Sequence, residues 1–169
     1  MPIALTSVAY TTSASAKGGR AGHVTSADGV IDLDLGQPGT VSKPTANPET
    51  LFAAGYSACF QGALANRAKT QGVDTSDSTV TANVSFGPSE DGGFGIAVEL
   101  QVHIPGVDLA KAQELTELAH AFCPYSKATR DNIVVTRVQL HGYGSALHVH
   151  QNHPGAILRH DRRHTGIAQ

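Results

Sequence analysis

Cysteine is scarce: 169 residues hold only Cys59 and Cys123. Two thiols are too few for the disulfide framework that staples small secreted domains, so that class is excluded. In a reducing compartment the pair has three readings: unrelated buried thiols, part of a metal site, or a redox couple whose disulfide forms transiently. Charge is sparse as well. Charged residues make up 15% of the chain, the formal net charge is −2 and no Lys/Arg block occurs, whereas nucleic-acid binding needs a basic footprint. No uninterrupted apolar run approaches the ~20 residues that cross a bilayer. The opening MPIALTSVAYTT has no basic segment leading into an apolar one. The expectation is a soluble, cytoplasmic protein with neither nucleic acid nor membrane as partner.

What is present suffices for a core, since 40% of the residues are hydrophobic, and the length fits one domain. Ile3 to Thr11 reads as a strand closed off by Gly18 and Gly19. Gly22 to Ser26 and Val30 to Leu35 form a hairpin around Ala27-Asp28-Gly29, and IDLDL alternates like a sheet with one wet face. Gly36 to Ala46, rich in Gly, Pro, Ser and Thr, reads as an exposed mobile loop. Asn47-Pro48-Glu49 then starts a long helix: a capping amide, a proline suited to the first turn, and a carboxylate at the positive dipole end. Its apolar stripe carries Phe52, Tyr56, Cys59 and Phe60, and Gly72 marks its stop. Thr79 to Phe86 and Gly95 to Ile104 form a second hairpin. Asp108 caps a second amphipathic helix that ends at Pro124, a short polar helical turn follows around Ser126 to Arg130, and Ile133 to Leu140 is a last strand.

That order indicates α+β rather than alternating βαβ units. Residues 1–141 are expected to form the domain. Residues 142–169 are expected to be a loosely ordered appendage, rich in His (His148, His150, His153, His160, His164) and Arg.

Two stretches carry the chemistry: NPETLFAAGYSACF, from Asn47 to Phe60, and AHAFCPYSKAT, from Ala119 to Thr129. Together with GGRAG around Arg20, they resemble the active-site motifs of the organic hydroperoxide resistance proteins. These lie within the larger family that includes the osmotically inducible OsmC proteins. The resemblance spans roughly Ile3 to His141. Thr50 departs from it, a glutamine being commoner there, and so does the His-rich tail. The resemblance implies an intertwined α+β homodimer, an antiparallel sheet with a long central helix, and sites at the subunit interface. It implies Cys59 as peroxidatic thiol, Cys123 as resolving thiol, Arg20 and Glu49 as an activating ion pair, and a dihydrolipoyl-bearing protein or other dithiol as reductant. No metal or other cofactor is expected.

The residue chemistry is consistent with those roles. A free thiol with pKa near ~8.5 is mostly protonated at neutral pH, so a peroxidatic cysteine needs a nearby positive charge. Arg20 cannot deprotonate, and Glu49 could hold its planar fork. Phe52, Tyr56, Phe60 and Phe122 would favour a peroxide with an apolar R group. Each residue alone also has an ordinary explanation: a core cysteine, a solvated loop arginine, a helix-dipole glutamate, core aromatics. His120 reads as structural, because zinc needs closer His/Cys pairs than this chain offers. Two rivals stand beside the hydroperoxide reading: an OsmC-like peroxidase of broader peroxide range, and a non-catalytic redox-sensing or binding domain.

Overall fold

Helix α1, Pro48–Lys69, forms where capping and periodicity ask for it. Asn47 Oδ1 accepts from Thr50 N at 2.8 Å, which satisfies one of the backbone donors left free in the first turn. Its buried face is Tyr56, Phe60, Ala63, Leu64 and Ala68. The chain then reverses through Gly72, whose φ of 69° suits a residue without a side chain. This computed structural model describes residues 3–40, 45–141 and 145–149.

The strands form two sheets. The smaller is antiparallel, β1 (Ala14–Lys17), β2 (His23–Ser26) and β3 (Asp32–Asp34), with a 3₁₀ turn over Gly19–Ala21 between β1 and β2. The larger has the order β4 (Thr79–Pro88), β5 (Phe94–His103), β6 (Val135–His141), β7 (Ser145–Val149). The β4–β5 and β6–β7 pairs are antiparallel, and β5–β6 is parallel. Parallel pairing needs a long crossover, supplied here by α2 (Leu109–Phe122) and α3 (Pro124–Thr129). α1 packs against β4, α2 and α3, so the core lies between the central helix and the large sheet. It is built from Tyr56, Phe60, Leu64, Leu100, Val102, Leu115 and Ala119, with Cys123 among them.

Three differences from the sequence reading have physical causes. Ile3 to Thr11 is not a strand, because a β-prone run becomes one only against a partner edge and the described residues offer it none. Its apolar side chains Ile3, Leu5, Val8 and Tyr10 are 69–83% exposed. The Gly36 to Ala46 loop is tied at its ends, where Gly36 N donates to Ala46 O at 2.9 Å and Leu35 bridges Ala46; residues 41–44 lie outside the described residues. Beyond residue 141, where no strand was expected, Ser145–Val149 pairs with β6 as β7. The rest of the His-rich tail, residues 142–144 and 150–169, lies outside the described residues.

Candidate active site

Cys59 sits at the start of the fourth turn of α1, half-buried, with its sulfur 3.3 Å from that of Cys123. The second thiol arrives there through a break in the helix. Cys123 has φ −59° and ψ 125°, the extended conformation that a residue before proline prefers, and Pro124 opens α3 in a new direction. Cys123 ends α2 and begins α3, and it is completely buried. Both cysteines are free. Burial pushes the Cys59 thiol above its ordinary pKa, and the neighbouring Cys123 adds to this; the backbone N–H of Tyr125 opposes them by hydrogen-bonding to the sulfur.

Around the thiols lies an aromatic and hydroxyl cluster. Phe52, Tyr56 and Tyr125 form a ring triangle with centroid separations of 5.7, 6.0 and 5.7 Å. Gly55 makes room for it, since a Cβ there would stand 2.9 Å from the Tyr125 hydroxyl. The buried Tyr56 hydroxyl meets Ser126 Oγ at 3.0 Å and Thr129 Oγ1 at 3.2 Å. Of the four aromatics expected to line a substrate pocket, Phe52 is half-buried in this cluster, whereas Tyr56 has no exposed surface and so cannot meet a substrate. Phe60 is a fully buried core residue. Phe122 points away, 40% exposed, with the Arg67 guanidinium 3.9 Å from its ring centroid.

Arg20 and Glu49 meet as expected, Nη2 to Oε2 at 2.5 Å. The arginine holds the Glu49 carboxyl below the usual carboxylate range, and its guanidinium also lies 4.5 Å over the Phe86 ring. Within one chain, however, this pair and the thiol pair are separate. Glu49 and Cys59 are ten residues apart on one helix, which places them about 15 Å apart along the axis. Arg20 is tethered at the Glu49 end, and no cation contributes to the shift at Cys59.

His120 is half-buried in α2 and its Nδ1 has no hydrogen-bond partner among the described residues. Burial, then Arg137 and Arg130, lowers its pKa to about 4, so the imidazole is neutral at pH 7. Among the described residues no group of three His, Cys, Asp or Glu is placed to hold a metal ion. No helix among them is long and apolar enough to cross a membrane.

Residues 40–137 match the family model described as OsmC-like protein. The chain belongs to the OsmC-like family. Within it, the organic hydroperoxide resistance proteins are close: OhrB of Bacillus subtilis is 51% identical over 129 residues, covering 75% of this chain and 94% of that protein. The organic hydroperoxide resistance protein of Xanthomonas axonopodis pv. citri is 45% identical over 133 residues, covering 76% and 93%. The crystal structure of Bacillus subtilis OhrB superposes with a TM-score of 0.75 at 48% identity, covering 79% of this chain and 100% of that one. The family match ends before β7 and the His-rich tail.

For this OsmC-like chain, the sequence reading missed Tyr125, Ser126 and Thr129. They sit in a short polar stretch that looks like a solvated turn; the one available signal was their position directly after Cys123-Pro124. It also missed His23, whose two ring nitrogens bond Asp34 at 2.9 Å and Asp32 at 2.6 Å across β2 and β3.

Proposed function

We propose that this protein is a thiol peroxidase that reduces organic hydroperoxides to alcohols, with Cys59 as the attacking thiol and Cys123 as its resolving partner. One observation carries the reading: two free thiols 3.3 Å apart, one half-buried and open to attack, the other wholly buried behind it. The Cys59 thiolate attacks the outer peroxide oxygen, the O–O bond breaks, and the RO⁻ leaving group takes a proton and departs as alcohol. Cys59 is left as sulfenic acid. The Cys123 sulfur then attacks the sulfenic sulfur, an S–S bond replaces the S–O bond, and water leaves. A dithiol, for which a dihydrolipoyl group on a carrier protein is the candidate, reduces the disulfide by exchange. The relatives named for organic hydroperoxide resistance support the substrate class, as do the apolar rings of Phe52 and Tyr125 beside the thiols.

Activation of Cys59 needs a cation, and none among the described residues of its own chain is placed to supply it. The reading therefore includes a homodimer in which the partner subunit's Arg20, held by its Glu49, reaches Cys59. Support comes from the small sheet and N-terminal segment, where Leu5, Tyr10 and Val30 are more than 80% exposed, an apolar surface that a second copy would cover. Cytoplasmic location follows from chemistry that needs reducible thiols.

The test is steady-state turnover with dihydrolipoamide, comparing an alkyl hydroperoxide with hydrogen peroxide. Preference for the alkyl substrate is expected. Equal rates would favour the broader OsmC-like activity, and oxidation without turnover would make the pair a sensor.

A further inference from the structure

Three hydroxyls are enclosed between α1 and α3: Tyr56 and Ser126 have no exposed surface and Thr129 is 7% exposed. Each carries a single hydrogen, so the direction of their bonds can be worked out. Thr129 Oγ1 lies 2.9 Å from the Tyr125 carbonyl and 3.3 Å from that of Ser126. Carbonyls only accept, so the threonine hydrogen goes to the backbone. Thr129 then accepts from Tyr56 across 3.2 Å, which uses the tyrosine hydrogen. Ser126 must in turn donate to Tyr56 across 3.0 Å. The result is a one-way chain from Ser126 through Tyr56 and Thr129 to the Tyr125 carbonyl, with no hydrogen left unassigned. Burial raises the Tyr56 pKa above its ordinary value, which keeps the phenol protonated and the chain complete.

The chain ends on the residue that matters to the thiols. Tyr125 has its carbonyl in this network and its N–H on the Cys59 sulfur, and Cys123 is two residues upstream. Tyr56 is three residues before Cys59, on the same side of α1. A slide of α3 along α1 would break both Tyr56 bonds and carry Cys123 away from its partner.

Resting on the peroxidase reading above, we propose that Tyr56, with Ser126 and Thr129, is a positioning residue for the second half of the cycle. It keeps the Cys123 thiol within reach of the Cys59 sulfenic acid, so that the disulfide closes before another peroxide arrives. The competing step is oxidation of the sulfenic acid by a second ROOH, which transfers one oxygen to give sulfinic acid and releases a second ROH. Positioning thus acts as protection against overoxidation.

Tyr56→Phe removes one oxygen and keeps the ring. The full-length protein is mixed with cumene hydroperoxide, quenched by rapid alkylation, and read by mass spectrometry for sulfenic, disulfide and sulfinic forms. Loss of Cys59 thiol should stay within about twofold of the unmodified protein. Disulfide closure should slow by about fivefold or more, the scale of one buried hydrogen bond, and the sulfinic share should rise. Thr129→Val should shift the same ratio and Thr129→Ser should restore it, which keeps the test valid if the tyrosine variant fails to fold. Closure at the unmodified rate, or both steps slowed by one common factor, would overturn the positioning role alone. An unmodified chain that forms no Cys59–Cys123 disulfide would overturn the peroxidase reading and this inference with it.

Discussion

Cys59 and Arg20 pose the central question at the scale of residues, since burial raises the thiol pKa while the proposed reaction needs the thiolate. Cys59→Ser should abolish hydroperoxide consumption, because a hydroxyl lacks thiol acidity and nucleophilicity; ferrous-oxidation assay of residual peroxide checks this. Cys123→Ser should leave the first stoichiometric oxidation intact and block recycling. Arg20→Met keeps the stem and removes the charge. It should raise the Cys59 pKa in the assembled protein and slow sulfenic acid formation at pH 7 by roughly 10–100-fold, read by pH-dependent alkylation beside single-turnover kinetics. Glu49→Gln should be milder, since it loosens the arginine and leaves its charge. The pairing of Cys59 with Cys123 and of Arg20 with Glu49 was legible in the sequence because cysteine is rare and two long motifs frame it. The separation of the two pairs within one chain was legible too, in the ten-residue spacing from Glu49 to Cys59, but it only acquires meaning once Arg20 is seen bonded at the Glu49 end.

At the scale of elements, α1 and α2 follow local rules: Asn47 and Asp108 cap them with bonds of 2.8 and 2.9 Å, and Pro124 divides α2 from α3. Phe122, placed on the buried face by its spacing, is exposed instead, because the buried line Ala112, Leu115, Ala119 runs on to Cys123, which takes the inward position beside it. Burial of His120 in α2 makes stability depend on pH. Its folded pKa, about 4, is below the unfolded value of 6.5, so the unfolded chain binds more protons between these limits. Stability is therefore full above pH 6.5 and falls as pH drops towards 4, by up to about 3 kcal/mol. His120→Gln should flatten that fall, as urea unfolding at pH 7 and pH 5 would reveal. Leu100, fully buried in β5 within the core cluster, is a second test, since Leu100→Ala should cost about 2–5 kcal/mol through the cavity it leaves.

For the molecule as a whole, the prediction is a dimer whose activity falls on dilution in step with its dissociation, measured by sedimentation equilibrium beside turnover. Tyr10→Glu, at a position 83% exposed in the single chain, should weaken association and lower turnover together; full activity in a monomer would remove the need for the partner subunit's Arg20. The sequence by itself determined the α+β order of elements, the helix limits, and the two motifs that carry Cys59 and Cys123. These depend on capping, periodicity and side-chain chemistry, all carried by neighbours along the chain. Only the tertiary structure decided that β5 and β6 pair in parallel, that Ile3 to Thr11 stays without a strand partner, that β7 extends the sheet, and that three hydroxyls close on one another behind the thiols. Apart from β7, which pairs with its neighbour β6, each of those depends on which distant segment supplies the other half of a hydrogen bond, and local pattern does not encode that choice.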